Sequence, residues 1–287
     1  MFQFSAQILP PNENIGNIIL ISSGLMTYAL LISKIVGMSL PIKNFQGKIG
    51  IEINEDLIIS NVEKSPELEL RFIDLMLACL LTGEAVRARQ YMLNETINFM
   101  VTPIIVGFEC FVIAHEYSHY LLGHLDKEIH NIRQLTLSDM HEIIHNWNDE
   151  LEADTLGIKL AIRAVEKSGL LSDFGLLGIF LCLKSFELFE RLNLIRNNEE
   201  KNTITFSEPH PPAFSRIKNY MEIITAVDNN KYLILSINRL IDFLWNRMLE
   251  KLHEVGIDIL LKEKSKFNEN DHKKIQKILY NHYSVEL

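Results

Sequence analysis

Residues 103–125 read PIIVGFECFVIAHEYSHYLLGHL. An apolar run interrupted only by the charge of Glu109 leads into four polar groups, His115, Glu116, His119 and His124. Pro suits the first turn of a helix, so the sequence predicts a long apolar helix opening at Pro103 and running from Ile104 to about Leu125. A buried helix has little reason to carry two imidazoles and a carboxylate unless a ligand satisfies them. His115 and His119 are four residues apart and share one helix face, where both rings can point at one metal ion. Glu116 lies about 100° round the helix from His115, beside such an ion and not on it. That is the position for a base that takes a proton from an activated water. His124 could flank the site, but on the same continuous helix it falls about 140° from His119 and reads as a residue near the helix end. Tyr117 and Tyr120 point away from the metal face.

A catalytic zinc ion takes three protein ligands and keeps one open position, so a third ligand is required. Residues 147–161, WNDELEADTLGIKLA, supply one. On a helix, Glu150, Asp154, Gly157 and Ala161 fall on one face, flanked by Ala153 and Ala164. Two carboxylates followed by small residues let a second helix approach the first closely enough to share a metal. Glu150 is the expected ligand. Asp154 is expected to accept from a ligand imidazole and fix its tautomer. Glu152 points about 160° away from that face and reads as solvated. The alternative is that these acids only favour the start of a helix, where negative charge is stabilising.

A second match, His141-Glu142-Ile143-Ile144-His145, competes for the same role. If it shared a helix with Glu150, His141 would fall about 180° and His145 about 140° from that residue. Neither could then share its metal. No apolar run precedes it, and both His141 and His145 are expected to be partly exposed.

Outward from these segments the chain reads as mostly α with a small β element near the N-terminus. Residues 1–64 carry an N-terminal helix and a hairpin between Lys48 and Asn61 centred on Asn54-Glu55-Asp56. Ser65-Pro66 starts a helix to about Leu81, and a further helical stretch runs from Glu84 to about Met100. Ser138 or Asn146 caps a helix to Lys167, and another covers Leu171 to Leu192. Residues 65–226 form the catalytic core. Residues 227–287 add helices, Tyr232 to Lys262 and Asp271 to Tyr283, packed on that core.

The bulk numbers bound the function. With 287 residues, 47% hydrophobic and 23% charged, the chain can bury a core without disulfide or metal staples. A formal net charge of −9 argues against a nucleic-acid partner. Cys79, Cys110 and Cys182 are odd in number and far apart, so a reducing, cytoplasmic compartment is expected. Residues 15–33 carry no charge and are long enough to span a membrane, but Gly16, Gly24 and several hydroxyl side chains dilute them. A buried core helix is the favoured reading, with membrane association as the alternative.

HEYSH followed by ELEAD resembles the HtpX-like and Oma-like gluzincin metallopeptidases, and also the phage-exclusion peptidases of the Lit type. The resemblance covers about residues 105–225. It implies a zincin-like, mostly α domain and a zinc endopeptidase acting on protein or peptide substrates. It implies His115, His119 and Glu150 as zinc ligands, Glu116 as general base, and Asp154 behind the ligands. The later segment SEPHPPAFSRI is similar to a His-Pro segment with a following Arg in that family. His210 would then stabilise the developing negative charge on the substrate carbonyl oxygen, and Arg216 would brace Asp154 through a bidentate pair. The rival class is a non-catalytic helical protein that binds zinc or a partner, its metal site closed by a fourth ligand such as His124 or His145.

Overall fold

The computed structural model describes residues 6–9, 17–45, 48–125, 132–134, 141–143, 147–169, 172–197, 211–227, 231–263, 267 and 269–283. The chain is mostly helical, as the sequence predicts. Among the described residues, three two-stranded antiparallel ribbons accompany the helices. β1 (Ala6–Leu9) pairs with β2 (Ile18–Ile21), β3 (Ile42–Phe45) with β4 (Lys48–Ile51), and β5 (Ile132–Gln134) with β6 (His141–Ile143).

The uncharged run at 15–33 is not one helix. Its first part forms β2, and Ser22 caps α1 (Ser23–Ser39) by accepting from the backbone N–H of Leu25. Most of α1 is buried, including Lys34, which donates to the carbonyl of Tyr91. The expected hairpin at 48–61 is displaced towards the N-terminus, to β3 and β4. Asn54 caps α2 (Glu55–Glu63) instead of turning a hairpin, and Glu55 and Asp56 occupy the first helical turn, where the helix dipole favours acids. α3 (Pro66–Thr82) begins at Pro66 as expected and ends on left-handed Gly83.

α4 (Glu95–Leu121) departs most from the sequence reading. Of the expected helix from Glu84 to Met100, the first part forms only a 3₁₀ turn at Ala85–Arg87 and the last, Glu95 to Met100, is the start of α4, so Pro103 lies inside α4 rather than at its start. A proline at that place removes one backbone hydrogen bond. The burial of Met100, Ile104, Phe108, Phe111 and Val112 against α1, α5 (Trp147–Lys167) and α6 (Ser172–Asn197) outweighs the loss. Asn94 caps the helix from outside, accepting from Ile97 N–H. By length and composition alone α4 could also cross a membrane.

The approach of α6 to α4 depends on the absence of side chains. A Cβ on Gly178 would lie 2.0 Å from the carbonyl oxygen of Ile104, and one on Gly107 would lie 2.0 Å from that of Gly175. α7 (Ala213–Val227) follows Pro211-Pro212, and Glu190 of α6 holds its first N–H at 2.7 Å. The C-terminal stretch divides at left-handed Gly256 into α8 (Lys231–Glu254) and α9 (Ile257–Glu263), followed by α10 (Glu269–His282). α8 packs mainly on α2 and α3, and α10 on α3, so these helices cover the N-terminal half as well as the core. One buried apolar cluster runs through residues of α1, α3, α4, α6 and α8.

Candidate metal centre

α4 and α5 cross where their polar residues meet. Gly157 makes the crossing close: a Cβ there would come within 3.0 Å of His115 N and Cα. Ala153 and Ala161 are fully buried on the same face, whereas Ala164 turns out to be exposed. The small-residue face of α5 therefore brings Glu150 to the imidazoles of α4.

Three donor groups converge. His115 Nε2 and His119 Nε2 are 3.2 Å apart. Glu150 Oε2 lies 3.6 Å from His115 Nε2, and Glu150 Oε1 lies 3.5 Å from His119 Nε2. Zinc bonds to nitrogen and oxygen of about 2.0–2.1 Å at tetrahedral angles put neighbouring ligand atoms about 3.3 Å apart. The two imidazole nitrogens match such an edge, Glu150 offers a different oxygen to each ring at a slightly longer distance, and one ligand atom from each residue lies within 4.8 Å of the others, so the three can gather on a single zinc ion. Glu150 and His119 are each 1% exposed. Sinking two imidazoles and a carboxylate this deep is costly without a cation to satisfy them.

Behind His115 the residues form a continuous chain. Asp154 Oδ1 lies 2.9 Å from His115 Nδ1, and Arg216 of α7 grips the same carboxylate with Nε 2.7 Å from Oδ2 and Nη2 2.6 Å from Oδ1. The guanidinium also stacks on the ring of Phe186 at 4.3 Å. Burial would push the Asp154 carboxyl up, but Arg216 and His115 outweigh it and hold it below the usual carboxylate range. Burial likewise draws the His115 imidazole towards neutrality, yet Asp154 and Glu150 prevail and raise its pKa above the usual value, with Arg216 opposing them. Arg216 stays charged: burial disfavours its cation, and Asp154 more than restores it. The carboxylates thus favour a cation beside His115, and a metal bound there would displace the proton they hold on the ring.

Glu116 follows His115 and is 8% exposed. Tyr117 and Tyr120 are exposed, as their helical phase predicts. His210 lies outside the described residues. Arg216, from the same segment, does reach Asp154. The competing match is not helical where it is described: His141–Ile143 is strand β6, paired with β5, and His145 lies outside the described residues. The helical-phase argument against it therefore does not apply. What separates the two matches is that His115 and His119 meet Glu150.

His124 lies near the helix end, as expected, but is turned back onto the site. It is fully buried, with Nδ1 3.1 Å from His119 Nδ1 and Nε2 3.3 Å from Glu152 Oε2. The helix does not continue to it. Leu122 is the last capping residue, Gly123 adopts φ +69°, His124 N–H bonds to the carbonyl of His119 and Gly123 N–H to that of Tyr120. This is the Schellman turn, which folds the second residue past the cap back onto the last helical turn. Gly123 was the signal: a glycine at that place stops the helix and turns His124 onto His119.

No family model, curated protein or solved structure matches this chain.

Proposed function

We propose that the chain is a zinc-dependent endopeptidase of the gluzincin type, with a zincin-like core, that hydrolyses peptide bonds of intracellular proteins. The observation that carries the reading is the convergence of His115, His119 and Glu150, one ligand atom from each lying within 4.8 Å of the others. When bound, zinc supplies Lewis acidity to a water molecule and to a substrate carbonyl. The chain's own residues do the rest. His115, His119 and Glu150 would hold the ion. Asp154 and Arg216 orient His115 and keep its Nε2 towards the site. Glu116 takes the proton of the attacking water and returns it to the leaving amine. His210, six residues before Arg216, donates to the carbonyl oxygen as negative charge develops there.

Catalysis needs a ligand position free for water, whereas a structural zinc site is closed by a fourth side chain. His124 does not supply one: it lies against His119 Nδ1, on the side of the ring away from Nε2. That supports the open, catalytic reading over the structural one. Free thiols at Cys79, Cys110 and Cys182 suit substrates in a reducing compartment. The test is Glu116→Gln, assayed for zinc content and for cleavage of a fluorogenic peptide library. The variant keeps its zinc and loses hydrolysis, because an amide cannot accept the proton. Cleavage at the parental rate would remove Glu116 from the role of base. His210→Ala lowers turnover with zinc retained, and unchanged turnover would remove His210.

A further inference from the structure

The two ligand histidines differ in what stands behind them. A metal-binding imidazole presents one lone pair to the ion and carries its proton on the other nitrogen, so an acceptor behind that N–H fixes both tautomer and ring orientation. Behind His115 the acceptor is a carboxylate. Behind His119 it is another imidazole, and a neutral imidazole accepts only if its proton is on its far nitrogen.

The surroundings of His124 favour that arrangement. His124 Nε2, the far nitrogen, faces two carboxylates, Glu152 Oε2 at 3.3 Å and Asp149 Oδ1 at 3.5 Å. Carboxylates accept and do not donate, so they draw the His124 proton to Nε2 and leave Nδ1 as an acceptor. His124 Nδ1 then accepts from His119 Nδ1–H across 3.1 Å, and the lone pair of His119 is left on Nε2, the nitrogen that meets His115 and Glu150. Only one proton arrangement satisfies the whole chain when His119 binds through Nε2. The backbone holds it in place, because His124 N–H also bonds to the carbonyl of His119 at 2.9 Å.

We infer that His124 is a positioning residue for His119, held in its accepting tautomer by Asp149 and Glu152, and that this chain tightens the metal centre from the side opposite Asp154. The inference rests on the metal-site reading above. It also decides a second question. His124, Asp149 and Glu152 bring one ligand atom each within 4.8 Å of one another and could themselves gather a cation. A cation on His124 Nε2 would drive the ring proton to Nδ1, directly against the proton on His119 Nδ1. The two places exclude each other, and the chain binds one zinc, not two.

The test compares zinc affinity, by chelator competition, in the parent, His124→Asn, His124→Gln and His124→Leu. Asn places its amide oxygen near the position of Nδ1 and can still accept from His119; Gln reaches only towards Nε2; Leu fills space without accepting. Leu and Gln weaken zinc binding by about 10–100-fold, and Asn stays within about threefold of the parent. A packing role predicts the reverse order, since Leu preserves volume better than Asn. Equal affinity in all four, or Asn binding no tighter than Leu, overturns the inference while leaving the metal site standing. If Leu fails to fold, Asn against Gln makes the same comparison. A parent that binds no zinc overturns both readings, and two zinc ions per chain overturn the exclusion argument.

Discussion

His115 and His119 stand one helical turn apart on α4, yet they are braced from opposite directions by unlike groups. Behind His115 stand a carboxylate and a guanidinium, both almost fully buried, on two different helices. Behind His119 stands an imidazole from the loop that ends α4, backed by Asp149, 10% exposed in its side chain, and by Glu152, 63% exposed. The first brace ties tertiary structure to the site, because Arg216 docks α7 on α5 through Asp154. The second joins the Schellman turn that ends α4 to the first turns of α5, and Glu152 in it is largely exposed. The two should therefore fail differently: the first takes stability with it, and the second mostly affinity.

Arg216→Ala breaks the larger brace. Removing one partner of a buried pair leaves a bare charge and costs about 3–5 kcal/mol. A large drop in the melting temperature of the metal-free protein is the expected outcome, with zinc affinity falling as Asp154 loses its hold. Arg216→Lys recovers only part, since an ammonium cannot make the bidentate contact. Unchanged melting in the alanine variant would mean the pair carries no structural weight.

Gly157→Ala strikes between the braces. The added methyl meets the His115 backbone at 3.0 Å and must push α5 away from α4. A loss of about 1–3 kcal/mol in stability is expected, with weakened zinc binding from a displaced Glu150. Denaturant unfolding with and without zinc checks both. Ala tolerated at full affinity would show that the helix spacing has slack.

Asp149→Ala combined with Glu152→Ala leaves His124 in place but frees its tautomer. The expected result is a few-fold loss of zinc affinity, less than for His124→Leu. Melting of the metal-free protein should barely move. A stability loss as large as that of Arg216→Ala would erase the contrast between the braces.

The smallest effect belongs to the competing motif. Replacing His141 and His145 with Gln should leave zinc content at the parental level by elemental analysis. Loss of zinc would move the metal centre to that segment.

The parts of this arrangement legible in the sequence are those set by helical phase. His115 with His119, and Glu150 with Asp154 and Gly157, each lie within one continuous helix, where spacing alone fixes direction. Arg216 was reached through resemblance and a charge argument, and it does meet Asp154. The errors arise where a helix begins or stops. Pro103 suggested a start, but Asn94 caps a helix that runs through it. Ser22 divides an apolar run that composition could not divide. Asn54 suggests a turn in the sequence and is a helix cap. At Gly123 the helix ends one turn past the motif, so carrying the phase on to His124 put that ring on the wrong side. Helical phase holds only while the helix continues, and the group behind His119 lies just beyond its end.

The measurement closest to the central claim is the zinc content of the purified chain beside that of Glu150→Ala. The expected result is one zinc per chain in the parent and its loss in the variant, with the metal-free variant still folded by circular dichroism. Zinc retained in full without Glu150, or a parent that takes up none, would contradict it.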